Sequence, residues 1–196
     1  MDGTTARQQA LDAAERLFYG RGIQTVGMDE IRTASGVSLK RLYQLFPAKD
    51  QLVQAYLERR DVAWRRRLAD RVDRESDPVE RVLAVFDHLG AWFREPDFRG
   101  CAWINSYGEL GATSAAVAAL ARAHKAAFRA YLVRLADAAG LPGDLADHLL
   151  LLAEGAMVTA AIFGTPEPAA QARSAAALLV AAHAGAAAGR TAGERV

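Results

Sequence analysis

One short stretch of the sequence, ASGVSLKRLYQLFPAKDQL from Ala34 to Leu52, concentrates side chains that can bind nucleic acid. Lysine and arginine donate hydrogen bonds to guanine edges and to phosphates, and glutamine can pair with adenine. A tyrosine hydroxyl can bind a phosphate while its ring packs against the protein. Glycine, serine and proline occur in the same stretch at positions where one helix would end and another would begin. The residue types therefore indicate a DNA-reading helix that follows a tight turn.

The spacing of these residues predicts two short helices joined by a sharp turn. The first runs from about Met28 to Ser35 and ends at Gly36, because glycine readily adopts the left-handed conformation of a sharp helix exit. Ser38 is a suitable N-cap for a second, very short helix that ends before Pro47. A helix, a glycine turn and a short helix form the helix-turn-helix arrangement, whose second helix enters the major groove of DNA.

The apolar residues of this stretch are spaced to form a small core, and the polar residues are spaced to point outward. The expected core consists of Ile31, Ala34, Val37, Leu42 and Phe46. The side chains that we predict to contact DNA are Ser38, Leu39, Lys40, Arg41, Tyr43 and Gln44. Lys49 joins them, because it lies at the start of the next helix, where free backbone N–H groups can bind a phosphate. The alternative interpretation is a solvated helical hairpin with a few surface cations.

These residues resemble the amino-terminal signature of the tetracycline-repressor-like (TetR/AcrR) transcription regulators. That signature, GVS…LY..F..K..L, is read here as Gly36-Val37-Ser38, Leu42-Tyr43, Phe46, Lys49 and Leu52, and the match covers roughly residues 6–56. The resemblance implies a three-helix DNA-binding unit in which Tyr43 and Lys49 contact phosphates. It also implies that bases are read at the positions of Leu39, Lys40, Arg41 and Gln44. Arg32, in place of a small alanine, and Leu45, in place of a frequent histidine, depart from the family pattern.

The rest of the chain is predicted to be helical as well. Apolar residues recur at intervals of three and four, alanine is abundant and alternating valine and isoleucine are absent. We therefore predict an all-α fold with an N-terminal three-helix helix-turn-helix domain and a C-terminal helical domain for ligand binding and dimerisation. The predicted boundaries are 1–48 for the DNA-binding domain, 49–186 for the ligand-binding and dimerisation domain with its connecting helix at 49–72, and 187–196 for a disordered tail.

Charge and cysteine content agree with a DNA-binding region at the amino terminus. The net charge is only +1, but residues 1–67 hold 12 Lys and Arg against 8 Asp and Glu, whereas the rest hold 12 against 15. Cys101 is the single cysteine, which excludes an intrachain disulfide and favours a reducing, cytoplasmic setting. We interpret it as a small buried hydrophobe, with redox sensing as the alternative. No apolar run reaches the roughly 20 residues of a membrane span without interruption.

The middle of the chain contains candidates for a small-molecule site. Aromatic stripes at helical spacing fill cores more often than pockets, but His124 and Glu154 interrupt apolar stripes and each needs a buried partner or a cavity. A mostly apolar pocket with a few polar groups is typical of a ligand site. The predicted ligand-binding residues are Phe86, Trp92, Phe93, Trp103, Asn105, His124, Phe128, Glu154 and Met157. For His124, a core histidine that pairs with a neighbour is the alternative.

The last two predicted helices are apolar almost all round, so they must be covered on both sides. Because one short recognition helix contacts few bases, such proteins bind DNA as twofold dimers. We expect two copies of this helix pair to form a four-helix interface, with Ala176 on its outer face; the alternative is that both helices lie inside the monomer core.

The predicted function is a ligand-responsive repressor that binds a palindromic operator as a homodimer and is released by a small, mostly apolar effector.

A helical enzyme or small-molecule carrier without specific DNA binding is the competing hypothesis. The sequence contains no motif that combines a nucleophile, a base and an orienting group, no glycine-rich phosphate loop and no HExxH motif. His88, His148 and His183 have no metal-ligand spacing. We therefore expect neither enzymatic activity nor a cofactor or metal. The basic run Arg59–Arg67 is predicted to be a solvated helix face that does not contact DNA.

Overall fold

The structure is a computed structural model that describes residues 3–193, with side chains for residues 3–183. Within that range the chain forms nine α-helices and no β-strand, which confirms the all-α prediction. The helices are α1 Gly3–Arg21, α2 Met28–Ser35, α3 Leu39–Leu45, α4 Lys49–Val72, α5 Pro78–Phe93, α6 Ala102–Leu110, α7 Ala115–Ala138, α8 Leu145–Phe163 and α9 Glu167–Gly193.

The described chain divides into two compact units. The first unit extends to Trp64 and includes Cys101–His124, and the second comprises Arg65–Gly100 and the chain from Lys125 onward. Two of the three divisions fall inside α4 and α7, so each of these helices contributes to both units, and the third falls between Gly100 and Cys101. The helix α6 belongs to the same unit as α1, α2 and α3, and the domain boundary between residues 48 and 49 stays a prediction. The predicted tail at 187–196 begins where no side chains are described, and residues 194–196 lie outside the described residues.

In the first unit, α1, α2 and α3 pack against one another. Ile31, Val37, Leu42 and Phe46 are buried as expected. Ala34 is exposed, which corrects the prediction that it belongs to the core. It lines an open groove between α1 and α2 instead, because the buried face of α2 runs through Met28 and Ile31.

Ion pairs fasten α4 to α1 within this unit. The Arg59 guanidinium donates to Asp12 Oδ1 and to Glu15 Oε2, each at 2.6 Å. The Arg60 guanidinium donates to Glu15 Oε1 at 2.7 Å and lies 3.8 Å from the centre of the Tyr19 ring. The prediction of a solvated basic face is therefore wrong for these two arginines, because acidic side chains of α1 lie opposite them.

In the second unit, α5, α8 and α9 pack against one another. Asp77 caps α5, since its Oδ1 accepts hydrogen bonds from the N–H groups of Val79 and Glu80 at 2.8 and 3.0 Å. Arg173 of α9 donates to Asp87 Oδ1 of α5 at 2.9 Å. A Cβ on Gly90 would lie 3.4 Å from Ala169 Cβ, so α5 and α9 approach each other to van der Waals distance at this position.

The helix α8 is long and apolar enough, by length and composition alone, to cross a membrane. It nevertheless packs against α5 and α9 and carries two acidic residues that are paired. Asp147 accepts from Arg129 Nε at 2.5 Å, which holds the pKa of that carboxyl below its ordinary value. Glu154 accepts from Lys125 Nζ at 2.6 Å. These contacts are those of a helix that packs with one side against its own folded unit.

Candidate nucleic-acid interface

The helix α2 is fixed at both ends by hydrogen bonds. At its start, Glu30 Oε1 accepts a hydrogen bond from the Gly27 N–H at 3.2 Å, and Glu30 Oε2 accepts from Arg21 Nη1 at 2.5 Å. These two hydrogen bonds hold the pKa of the Glu30 carboxyl below its ordinary value, and the one from Arg21 contributes most. At its end, Gly36 has φ +69° and donates its N–H to the Arg32 carbonyl at 3.0 Å. The predicted glycine turn is therefore present, and it directs the chain into α3.

The helix α3 carries the residues that were predicted to contact DNA. Ser38 is its N-cap, because the hydroxyl accepts from the Arg41 N–H at 3.3 Å. Leu42 is buried and fixes the inner face of the helix. The outward set, which we call the α3 surface, consists of Ser38, Leu39, Lys40, Arg41, Tyr43 and Gln44. All six side chains are exposed or half-buried.

Two members of the α3 surface orient each other. Arg41 Nη1 donates to Gln44 Oε1 at 3.1 Å, which leaves the Gln44 amide N–H groups and the other guanidinium donors of Arg41 available. Lys40 and the 46%-exposed Tyr43 flank this pair with an ammonium and a hydroxyl. A helix face that presents mainly donors suits guanine edges and phosphate oxygens, both of which are acceptors.

Lys49 occupies a more internal position than the sequence suggested. It is half-buried, its Nζ donates to the Ile23 carbonyl at 2.6 Å, and the same atom lies 5.9 Å from the centre of the Phe18 ring. An ammonium group has three N–H donors, so one internal hydrogen bond leaves donors for a phosphate. The phosphate role of Lys49 stays a prediction.

Glu109 is a residue of this site that the sequence analysis did not find. It lies in α6, 85 residues beyond Gln24, yet its Oε1 accepts from the Ile23 N–H at 3.1 Å and its Oε2 accepts from the Gln24 N–H at 2.9 Å. One signal was available in the sequence. A carboxylate in the last turn of a helix opposes the helix dipole, so it needs a compensating partner.

The predicted ligand-binding residues are distributed over both units. Trp103, Asn105 and His124 belong to the first unit, and the other six belong to the second. Seven are buried, Asn105 is exposed and Glu154 is half-buried. Their grouping into one pocket stays a prediction. Among the described residues, no three His, Cys, Asp or Glu side chains lie together as metal ligands.

His124 is enclosed by neighbours of its own unit. Its ring stacks on Trp103 with centroids 3.5 Å apart and planes 6° apart, and the edge of Trp64 lies 5.0 Å away. Its Nδ1 lies 2.6 Å from Asp61 Oδ1. Asp61 is a partner that the sequence analysis missed, because it was counted with the solvated basic run. His124 thus has a polar partner and aromatic neighbours, as expected if it is a core histidine that pairs with a neighbour.

Two segments of the chain match family models of bacterial transcription regulators. Residues 10–56 match the model for bacterial regulatory proteins of the tetR family, and residues 78–176 match the model for a tetracyclin repressor-like C-terminal domain. The chain belongs to the TetR family of transcriptional regulators. It is accordingly a DNA-binding helix-turn-helix protein, and the family consists of regulators rather than enzymes.

Individual relatives of this TetR-family chain agree with that assignment. An uncharacterised HTH-type transcriptional regulator of Mycobacterium tuberculosis is 34% identical over 130 residues, and the match spans 60% of each chain. The HTH-type transcriptional activator FasR of Mycolicibacterium smegmatis is 47% identical over 53 residues, which are 27% of this chain and 24% of FasR. The crystal structure of a TetR-family regulator from Streptomyces coelicolor superposes with a TM-score of 0.83 at 28% identity, covering 92% of this chain and 96% of the other.

This TetR-family chain also exposes large apolar side chains on its last two helices. Leu151, Val158 and Ile162 lie on one face of α8, since they are separated by seven and four residues. Together with Phe163 and with Leu178 of α9, these exposed residues form what we call the α8–α9 apolar surface. Ala176 is fully buried within the unit, which corrects the prediction that it lies on the outer face of α9.

Proposed function

We propose that this TetR-family regulator binds a palindromic operator as a homodimer and represses transcription until a small, mostly apolar effector releases it. The observation that carries the proposal is the α3 surface. It presents Lys40, Arg41 and Gln44 on a helix whose start and inner face are fixed by Ser38 and Leu42. These donors fit base edges and phosphates of the major groove.

The α8–α9 apolar surface supports the homodimer. Ile162 and Leu178 are 73% and 74% exposed. A contiguous patch of large exposed apolar side chains marks an interaction site. A twofold dimer also supplies two α3 surfaces, as a palindromic operator requires. A protein with this function acts where the DNA is, so we place it in the cytoplasm.

The effector belongs to the same proposal and rests on family resemblance together with the predicted ligand-binding residues. Trp92 and Trp103 provide the readout, because a ligand bound near either indole changes tryptophan fluorescence. The direction of control also rests on the resemblance. FasR is an activator, although 53 of its residues are 47% identical to this chain, so the reporter measurement determines the sign of regulation.

The decisive experiment is selection of duplexes from a random-sequence DNA pool by the purified chain. We expect a palindrome whose half-sites are one helical turn or more apart, and an affinity for it that falls steeply as salt rises. A reporter gene placed behind that duplex should be expressed less when the chain is present. If no duplex is enriched, the proposed operator binding is wrong, and if expression rises, the regulator is an activator.

A further inference from the structure

The loop between α1 and α2 is held from two sides by charged side chains. On one side, the Glu109 carboxylate of α6 accepts from the Ile23 and Gln24 N–H groups at 3.1 and 2.9 Å. On the other side, Lys49 Nζ donates to the Ile23 carbonyl at 2.6 Å. Ile23 therefore has both of its backbone polar groups engaged by ionised side chains, which form stronger hydrogen bonds than neutral ones.

The contact between Glu109 and the loop is reciprocal. The Gln24 side-chain amide donates to the Glu109 carbonyl at 2.7 Å, and that carbonyl belongs to the last turn of α6, where no intrahelical donor is available. The loop thus caps the helix while the helix side chain binds two N–H groups of the loop. Loss of the Glu109 carboxylate would remove two hydrogen bonds from the loop, of which the one to the Ile23 N–H is partly buried.

The backbone of the loop is shaped to admit this carboxylate. Gly22 has φ +89°, a conformation that residues with a side chain rarely adopt. A Cβ at that position would lie 3.2 Å from both carboxylate oxygens of Glu109, closer than ordinary contact allows. A glycine in this conformation, followed by two N–H groups that converge on one carboxylate, is an anion-binding arrangement.

The position of this loop bears on DNA binding because of what it connects. The loop leads directly into Gly27 and α2, which packs against α3. Lys49 is the first residue of α4, and only residues 46–48 separate it from the end of α3. The loop is thus linked to the recognition helix by α2 on one path and by Lys49 on the other.

We infer that Glu109 is a positioning residue for DNA binding: its carboxylate, together with Lys49, fixes the α1–α2 loop and through it the orientation of α2 and α3. Glu109 itself need not touch DNA. The inference rests on the proposed function, because it assigns to α6 a role in setting operator affinity.

The test compares Glu109→Gln with wild type on the duplex that the wild-type chain selects from a random pool. Glutamine keeps the size of the side chain but replaces one acceptor by an NH₂ group that faces a backbone N–H. We expect the affinity for the selected duplex to fall roughly tenfold, within the 5–150-fold range of ordinary coupling between sites. The salt dependence should keep its slope, since no phosphate contact is removed. Amide hydrogen exchange at Ile23 and Gln24 should accelerate.

Glu58→Gln is the matched control, because Glu58 is exposed on α4 in the same unit and loses the same charge. It should bind the selected duplex as wild type does. A folded Glu109→Gln protein that binds within twofold of wild type, or whose salt slope drops by one or more, overturns the inference. If Glu109→Gln does not fold, Gln24→Ala is measured instead, and wild-type affinity in that variant overturns it. A wild-type chain that selects no duplex contradicts the proposed function. Unchanged hydrogen exchange at Ile23 and Gln24 in Glu109→Gln contradicts the role of Glu109 in fixing the loop, whether or not a duplex is selected.

Discussion

The α3 surface and the α8–α9 apolar surface are both exposed, and they expose opposite chemistry. The first presents an ammonium, a guanidinium, an amide and a phenol, of which Arg41 and Gln44 already hold each other in place at 3.1 Å. The second presents leucine, isoleucine, valine and phenylalanine side chains without charge. A partner for the first must supply acceptors and negative charge, whereas a partner for the second must supply apolar area.

The difference between the two surfaces determines how each responds to solution conditions. Contacts between cations and DNA phosphates release counterions, so they weaken steeply as salt rises. Burial of apolar area involves no counterion release and is strengthened by many salts. If DNA is bound by the first surface and a second copy by the other, salt should remove the DNA and leave the dimer intact.

The largest expected effect comes from a charge placed on the α8–α9 apolar surface. Ile162→Glu should dissociate the dimer, because an unpaired buried carboxylate costs about 3 kcal/mol or more. Affinity for the selected duplex should then fall more than about a hundredfold, since each monomer has one α3 surface. Sedimentation and DNA binding measured on the same sample check both statements.

Val62→Glu is the control for that experiment. Val62 is 64% exposed on α4, so it places the same carboxylate on an apolar position outside the α8–α9 apolar surface. It should leave assembly unchanged. An Ile162→Glu protein that still sediments as a dimer would move the interface away from α8.

Acid pH should weaken the unit that carries the α8–α9 apolar surface. His88 of α5 is buried, and this desolvation, with the nearby Arg67 and Arg71 charges, lowers its pKa from 6.5 to about 4. In the unfolded chain His88 therefore binds a proton near pH 6.5, whereas in the folded chain it binds one only near pH 4. Stability is full above pH 6.5 and falls by up to about 3 kcal/mol as the pH drops to 4. Denaturant unfolding at several pH values measures this loss.

His88→Leu separates the contribution of this histidine to the pH dependence of stability from the contribution of the carboxylates. The variant lacks the proton-accepting group, so its free energy of unfolding should fall less than that of wild type between pH 6.5 and pH 4. Because α5 packs against α8 and α9, the proposed dimer should also dissociate more readily in acid for wild type than for His88→Leu. Parallel pH profiles for the two proteins would show that His88 does not titrate in this range.

The helix-turn-helix could be predicted from the sequence because its determinants are local. The left-handed exit at Gly36 and the cap at Ser38 involve neighbours three or four residues away, so both can be identified from a short stretch of sequence. The outward position of Tyr43 and the buried position of Leu42 follow from helical spacing in the same way.

The contacts that escaped prediction join residues far apart in the chain. Asp61 meets His124 across 63 residues, and Glu109 meets Gln24 across 85. Ala176 was predicted to face outward because α9 is apolar on all sides, and a helix of that kind has no pattern that marks its buried face. Periodicity therefore located helices, but it could not identify partners or choose among equivalent faces.

A smaller effect is expected at the α3 surface from Arg41→Ala. If the guanidinium makes a bidentate contact to guanine, its loss should reduce discrimination between the selected duplex and a mutated one by roughly 1 to 3 kcal/mol. Arg16→Ala, which removes the same charge from an exposed position of α1, should leave discrimination unchanged. Competition binding with both duplexes makes the measurement. Equal discrimination in wild type and Arg41→Ala would exclude a base contact at this position.

The smallest effect is expected from Lys49, where the two possible roles of one ammonium group can be separated. If Lys49 also contacts a phosphate, Lys49→Met should weaken selected and random DNA alike and reduce the salt slope by about one. Because Nζ also donates to the Ile23 carbonyl, the variant should melt at a lower temperature as well. Methionine keeps an unbranched apolar stem beside Phe18, which limits the loss of packing. A lower melting temperature with an unchanged salt slope would show that Lys49 acts on the loop and does not contact a phosphate.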